Sequence, residues 1–414
     1  MSQAQPCRLL PVRYSSDKHN GSFTYPDLPG FRIELHFEPC LWIVLRCLEL
    51  EVNKMKTMNW KAALGCLLQG LIIAGICFTI LALPVEAQAK EKRVVKVMTK
   101  NLYLGSDLNL ALDAETPAEF VGAVAVIYGT ALFTDFPARA GAIADTILEQ
   151  RPDIIGLQEV TTWTSFGAGA PPTLDFLAIL QLQLAQRGLN YEVVAVSNNA
   201  EIGPVPQFFQ CGPGGPCFVT LNDRDVILVN AGNSDLVVTS AASNLYVAQL
   251  IFPTAVGPVS FDRGWAYIDG TFEGKKFRFL NTHLETQAAG STQEAQGQEF
   301  LFGPANTGGA VIAVGDFNSA ADGTTTSTYD DLTTDFFKDA WEQNSGAPGL
   351  TCCQNSTLTN TSSELDSRID LILTMGSARA LRAELISDTP FFQGPIPPFW
   401  PSDHAGVIAE IRIH

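Results

Sequence analysis

The chain has 414 residues, of which 46% are hydrophobic and 17% charged, and its formal net charge is −17. That length admits one large or two ordinary domains, and the composition excludes global disorder. The acidic balance excludes a broad basic face for tracking nucleic acid, although a local site or a bound cation can offset a negative average.

Residues 62–85 read "AALGCLLQGLIIAGICFTILALPV" and carry no charge; Lys54, Lys56 and Lys61 precede them and "AQA" (Ala87 to Ala89) follows. A basic start, an apolar stretch and a small-x-small exit predict a secretory signal over 55–89 and a secreted or periplasmic protein. The alternative is a membrane anchor holding an extracytoplasmic domain, because so long an uncharged stretch can span ~30 Å of hydrocarbon. Residues 1–54 precede the basic start. They are expected to be a non-native or disordered extension, with the true start at Met55. Cys211, Cys217, Cys352 and Cys353 lie beyond the signal, an even number that suits an oxidising compartment. "CGPGGPC" reads as a small disulfide-closed loop, with Gly and Pro supplying the bends. The pairing of Cys352 and Cys353 stays open.

From residue 90 onward the pattern is that of one α/β domain. "RVVKVMTKNL" (Arg93 to Leu102) is rich in β-branched residues and predicts a strand, followed by a variable stretch from Tyr103 to Phe136. Pro137 to Gln150 predicts a helix with Pro in its first turn. "RPDIIGLQEV" is a turn and then a buried strand ending in Glu159. Pro172 to Gly188 is an amphipathic helix closed by Gly. Tyr191 to Ser197 and Arg224 to Asn230 are strands around a Gly/Pro-rich loop (Asn198 to Asn222). Ser243–Phe252, Arg263–Phe272 and Lys275–Leu284 are three more, with a hairpin turn at Glu273–Gly274. Ser291 to Phe302 is helical; Gly309–Asn318, Ser367–Met375, Arg379–Ser387 and Ala405–His414 complete the strands. Helix crossovers become scarce after residue 190, so two packed sheets flanked by helices fit better than one doubly wound sheet.

Polar residues collect at the ends of these apolar runs. Alternate residues of a strand share a face, which pairs Asp316 with Asn318, Asn281 with His283 and Arg368 with Asp370. Asn101 and Glu159 end two other runs, and Asp403–His404 stand just before the last. Each has a bland explanation as a turn former, surface acid, salt pair or packed histidine. Of the three histidines beyond the signal, however, His283 and His404 both fall in these clusters. "DFNSAADG" resembles an EF-hand start but has Ala320 and Ala321 where Asp/Asn and Gly are needed. No phosphate-loop, nucleophile-elbow or HExxH motif is present.

Taken in order, "NL" at Asn101, "QEV" at Glu159, "NTHL" at His283, "GDFN" at Asp316 and Asn318, "RIDLIL" at Asp370 and "SDH" at Asp403–His404 resemble the endonuclease/exonuclease/phosphatase superfamily, the deoxyribonuclease I-like group. No one segment is specific, but six in order are. The resemblance implies a four-layer αββα sandwich, two packed mixed sheets flanked by helices, with the site at one end of the sheets. It implies phosphate-ester hydrolysis with a divalent cation, usually Mg²⁺, with Mn²⁺ or Ca²⁺ as alternatives. On that basis Glu159, Asn101 and Asp403 are the expected cation ligands. His404 is the expected general base, oriented by Asp370. Asn318 is expected to hydrogen-bond a phosphate oxygen, His283 to bind the phosphate or assist the leaving oxygen, and Asp316 to orient the water or its neighbours. Arg224 could reach the phosphate or form a salt bridge, and Arg368 could simply pack its strand end.

The expected substrate is a phosphodiester, a nucleic acid or a phospholipid, with endonuclease-like activity placed first. A lipid phosphodiesterase or a sugar-phosphate phosphatase is the alternative, and a non-catalytic binding module is the alternative of another class. No stable protein partner is expected, and the protein reads as a monomer. Specificity is expected in the variable loops. One of these carries Phe391, Phe392, Phe399 and Trp400, which either meet a lipid or base or pack against one another.

Overall fold

The computed structural model describes residues 94–167, 169–207, 217–343, 347–391 and 399–414. The expected extension, the signal segment and Cys211 lie outside the described residues. No described helix is by itself long and apolar enough to cross a membrane.

Two sheets carry the fold. The first holds β1 (Val94–Asn101), β2 (Ile154–Gln158), β3 (Thr162–Phe166), β4 (Leu174–Asp175), β5 (Tyr191–Gln207), β6 (Cys217–Asn230), β15 (Ala378–Ile386) and β16 (Gly406–Ile413). Its order is β15-β16-β1-β2-β6-β3-β4, and β5 also pairs with β6. The second holds β7 (Leu236–Leu245), β10 (Gly264–Phe272), β11 (Lys275–His283), β12 (Val311–Asp316), β13 (Lys338–Asp339) and β14 (Asp370–Met375), in the order β13-β14-β12-β11-β10-β7. A separate hairpin joins β8 (Ile251–Thr254) to β9 (Gly257–Ser260). The β1–β2 and β11–β12 pairs are parallel and the other pairs antiparallel, so both sheets are mixed.

The two-residue period of a strand sorts the side chains into layers. Val97, Ile154 and Ile227 of the first sheet face Ile268, Phe279, Ile312 and Val314 of the second. Met98, Ile155 and Leu157 point the other way, onto α1 (Pro117–Phe133), α2 (Phe136–Gln150) and α3 (Phe176–Gln186). Leu280, Val311 and Leu371 of the second sheet meet α4 (Gly290–Phe302) and α5 (Thr328–Thr333). The result is the expected αββα sandwich. Central strands such as β2 and β12 are buried on both faces, which is why they read as unbroken apolar runs.

One end of the inter-sheet layer is stitched by polar groups. Asn281 Nδ2 donates to the carbonyls of Leu157 (2.9 Å) and Val226 (3.2 Å), and its Oδ1 accepts from Gln158 Nε2 at 2.6 Å. Gly156 makes the approach possible, because a Cβ there would strike Val314 and Asn281.

Three sequence expectations change. Ser243–Phe252 is not one strand. β7 ends at Leu245 because Glu299 accepts from the N–H groups of Val247 and Ala248, drawing the chain away before β8. Within the Gly/Pro-rich stretch, residues 198–207 and 217–222 are the far half of the paired strands β5 and β6, whose register shifts absorb the irregular residues. The variable stretch after Tyr103 contains α1. Its start is a capping box, with Thr116 accepting from the Glu119 N–H, the Glu119 side chain accepting from the Thr116 N–H, and Pro117 in the first turn.

Replacing Asn281 with Leu would strand Gln158 Nε2 and two buried carbonyls, each unpaired group costing ~1–3 kcal/mol. Urea unfolding should show a larger loss for Asn281→Leu than for Ile268→Val, whose removed methylene is worth ~0.5–1.5 kcal/mol.

Candidate active site

Register does the first part of the assembly. His283 pairs with Asp316 across β11–β12, and Asp316 pairs with Asp370 across β12–β14. The three side chains therefore stand in one row at the same end of the second sheet. Gly315, at φ +154°, lets β12 run close to β11, since a Cβ there would collide with the Thr282 carbonyl.

The first sheet supplies the facing groups. β2 and β3 pair with successive stretches of β6, Leu157 with Val226 and Thr162 with Asn222. Between them Glu159 adopts φ +53°, a left-handed kink that takes its side chain out of the ladder. Glu159 Oε2 accepts from the Leu104 N–H at 2.6 Å and Oε1 from Asn101 Nδ2 at 3.0 Å. Asn101 Nδ2 also donates to Asp316 Oδ2 at 3.1 Å, joining the sheets, while its Oδ1 accepts from the Tyr103 N–H at 2.8 Å. Asn101 thus turns nitrogen, not oxygen, toward the carboxylates.

His404 Nδ1 is 2.7 Å from Asp370 Oδ2. Its Nε2 then faces Asp316 Oδ2 at 3.8 Å and Asp403 Oδ1 at 3.9 Å. The loop that carries it is held by Ser402, whose Oγ donates to the Asn101 carbonyl and accepts from the His404 N–H. Lys100 Nζ donates to the His404 carbonyl. Arg139, fully buried, donates to the carbonyls of Leu102, Tyr103 and Pro401 and so clamps together the loops that follow β1 and precede β16.

Charge is crowded here. Burial pushes Asp316 up to about 7 and Asp403 up to about 6, against the lowering influence of His404. Burial alone would lower His404, but Asp370, Asp403 and Asp316 together carry it well above its ordinary value. His283 is held well below its own by burial, Arg263 and His404, and is therefore neutral. Asp370 Oδ1 is buried with no partner among the described residues. The ligand atoms of Asp316, Asp370 and His404 lie within 4.8 Å of one another. Hard carboxylate oxygens in excess of nearby cations, one of them unpartnered, are the donor set a divalent cation takes, so these residues fit one.

His283, Asp316, Asn318, Asp370, Asp403, His404, Glu159 and Asn101 are thus brought together. Asn318, at φ +52°, donates through Nδ2 to the Leu284 carbonyl and lines the same cleft. Arg224 is not among them. It is held by Asp175 Oδ1 (2.9 Å), Thr162 Oγ1 (2.9 Å) and the Val160 carbonyl, and Asp175 is the N-cap of α3. Its role is structural. Arg368 is likewise paired with Asp339. The arginine beside His283 is Arg263, which carries no strand-end signal in the sequence. Its Nη1 lies 3.0 and 3.1 Å from the two ring nitrogens of His283, and its Nη2 is 3.5 Å from Glu285 Oε1. Phe399 and Trp400 are buried with Tyr103 and Leu358, so they pack on the protein itself; Phe392 lies outside the described residues. The sulfurs of Cys352 and Cys353 face each other, with Cys353 Sγ 3.9 Å from His404 Nε2.

Asp223 and Asp225 also escaped the sequence reading. Both are fully buried on β6, sharing Asn199 Nδ2 at 3.4 and 2.8 Å. Burial, aided by Glu159, raises Asp223 to about 7, and burial with Asp223 raises Asp225 well above the carboxylate range. The folded state therefore binds protons that the unfolded chain releases near pH ~4, and stability contributed here falls as pH rises from about 4 to about 7. Urea unfolding at about pH 5 and pH 8 should show that drop in the wild type. Asp225→Asn should shrink it, and an unchanged drop would remove this pair as its source.

A model of the Endonuclease/Exonuclease/phosphatase family matches residues 127–404, which include every site residue above except Asn101. No curated protein matches the chain. Among solved structures, an endonuclease/exonuclease/phosphatase family protein from Bacteroides thetaiotaomicron is similar with a TM-score of 0.51 at 15% identity, over 78% of this chain and 98% of that one. The endonuclease/exonuclease/phosphatase from Beutenbergia cavernae has a TM-score of 0.49 at 18% identity, over 78% and 72%. A Bacteroides thetaiotaomicron mannosyl-6-phosphatase has 0.48 at 15%, over 77% and 99%. At these identities the structural likeness is one of fold. The family model spans well over half of the chain, and with the ordered strand-end residues it makes this protein a member of the Endonuclease/Exonuclease/phosphatase family.

Proposed function

We propose that the protein is a divalent-cation-dependent hydrolase that cleaves a phosphodiester by attack of water, and that it works outside the cytoplasm. The observation that carries the chemistry is the His404–Asp370 pair at 2.7 Å, with Nε2 turned toward Asp316 and Asp403 in the cleft that Glu159 also lines. Asp370 accepts the hydrogen bond from Nδ1–H and so fixes the tautomer whose Nε2 can accept a proton from water. As the water oxygen bonds phosphorus, its proton passes to Nε2 and the bond from phosphorus to the leaving oxygen breaks. Neutral His283, backed by Arg263, offers hydrogen bonds and positive charge to the non-bridging oxygens, and Asn318 adds an amide. Glu159, Asp316 and Asp403 would hold Mg²⁺ or a similar ion, with Asn101 positioning Glu159 and Asp316. Bound there, the ion would offset the charge on the phosphoryl oxygens and the leaving group. Neutralising these carboxylates also lowers His404 toward the range a base needs.

Arg263 is the one Lys or Arg lining this cleft among the described residues, beside Asp107, Glu159, Glu285, Asp316 and Asp403. A polynucleotide needs several phosphate contacts along its track. The lining therefore favours a small or amphiphilic phosphodiester, and an endonuclease becomes the second reading. The signal-like segment supports export, where Cys352 and Cys353 would be oxidised.

With Mg²⁺ and bis-p-nitrophenyl phosphate, His404→Ala should lower kcat by ~10²–10⁴-fold, and EDTA should abolish turnover until Mg²⁺ is restored. Undiminished hydrolysis in either case would sink the mechanism. A panel of plasmid DNA, RNA, sphingomyelin and an inositol phosphate then ranks the substrates. Arg263→Ala should lower kcat/KM by ~10²-fold or more. Arg224→Ala should instead lower the melting temperature and leave kcat/KM within a few-fold of the wild type.

A further inference from the structure

The catalytic floor is one end of a cleft of about 660 Å³. Its other end is apolar. Phe120, Val124 and Ile127 come from one face of α1, Val205 and Leu221 from the β5–β6 hairpin, and Phe252 from β8. Phe120, Ile127 and Leu221 are otherwise core residues, at most 4% exposed. Protein interiors are close-packed, and an apolar cleft wall left unfilled next to core side chains suits an apolar guest. The void is continuous with the site through shared walls. Arg263, which touches His283, lies 5.1 Å over the Phe261 ring, and Phe261 lines the same cleft.

We propose that this chamber holds one alkyl or acyl chain of the substrate, so that the enzyme cleaves a phosphodiester carrying a single long hydrocarbon group. The inference rests on the phosphodiesterase reading above and adds the substrate class. Three features select a hydrocarbon over a nucleobase. A base brings edge donors and acceptors that must be paired when buried. Trp163 Nε1, the indole donor in the wall, is already given to the Leu104 carbonyl at 2.8 Å, and Thr254 Oγ1 to the Gly257 carbonyl at 2.6 Å. No lysine or arginine besides Arg263 lines the cleft among the described residues to meet a polynucleotide's further phosphates. An amphiphile meets both ends of the cleft, with its phosphate at the Arg263–His283 pair and its chain along the α1 face.

The test uses the full chain with Mg²⁺ and p-nitrophenyl alkyl phosphodiesters from ethyl to dodecyl, below micelle-forming concentrations. A buried methylene is worth ~0.8 kcal/mol, so kcat/KM should rise about fourfold per methylene until the chamber fills. Val124→Trp should cut the octyl-to-ethyl ratio of kcat/KM at least tenfold. Independently of turnover, calorimetry should show dodecylphosphonate binding far more tightly than ethylphosphonate. If bis-p-nitrophenyl phosphate and the ethyl ester are cleaved but longer chains gain nothing, the chamber proposal is overturned. It is also overturned if thymidine p-nitrophenyl phosphate outpaces the octyl ester. If no diester is cleaved at all, the proposed function fails instead, and the phosphonate pair decides the chamber: a preference for dodecyl supports it, and equal binding overturns it.

Discussion

Everything at this site follows from putting more negative charge under cover than the surrounding cations can balance. Glu159, Asp316, Asp370 and Asp403 converge, and burial lifts Asp316 and Asp403 out of the ordinary carboxylate range. An arrangement like this opposes folding, because each carboxylate loses water and gains a like-charged neighbour. The cationic side chains near it are committed elsewhere. Lys100 is tied to the His404 carbonyl, Arg139 to four backbone carbonyls and Arg263 to His283 and Glu285. The unmet demand is for positive charge, and the substrate proposed above is itself an anion. The same imbalance that costs stability gives the site its affinity for positive charge.

A destabilising site needs a stiff scaffold, and the sequence provides one in layers. The row His283–Asp316–Asp370 is set by strand register, the most strongly specified geometry in the molecule, because a one-residue slip would turn Val314 and Ile312 out of the inter-sheet core. The facing groups on loops have no ladder to hold them. Arg139 and Ser402 do that work by tying Leu102, Tyr103 and Pro401 to one guanidinium and Asn101 to His404 through one hydroxyl. Arg139 is pulled down to about 10 by burial yet stays charged at neutral pH. A lysine could not replace its planar fork.

How far the sequence reveals this depends on the range of each interaction. The strand-end residues were legible because period-two alternation and apolar runs are local, and the local rule already put Asp316 with Asn318 at one end. The capping box at Thr116–Glu119 is equally local and marks the start of α1 within the variable stretch. The two arginines show the limit. Arg224 and Arg263 each precede an apolar run, and nothing within a few residues separates them. The distinction lies in partners far along the chain: Arg224 meets Asp175, 49 residues away, and Arg263 meets His283, 20 away on the neighbouring strand. The buried Asp223–Asp225 pair was hidden for the same reason. In "NDRDVILV" the acids resemble the polar end of a strand, and only the packing of Asn199 and Thr161 around them shows that they are inside.

The floor and the walls of the cleft come from different parts of the fold. The floor belongs to the ends of the paired strands and can vary little without losing register. The apolar wall belongs to α1, the far half of the β5–β6 hairpin and the β8–β9 hairpin, whose lining residues lie outside the inter-sheet layer. The two still act on each other. Apolar walls exclude water and lower the local dielectric, which strengthens the His404–Asp370 pair and the pull of Arg263 on an anion. They also raise the penalty on every unpaired carboxylate beneath them. A guest that fills the wall with hydrocarbon and presents one phosphate to the floor satisfies both demands at once. A flexible polyanion leaves the apolar wall unfilled, and its further charges would face Asp107 across the same cleft.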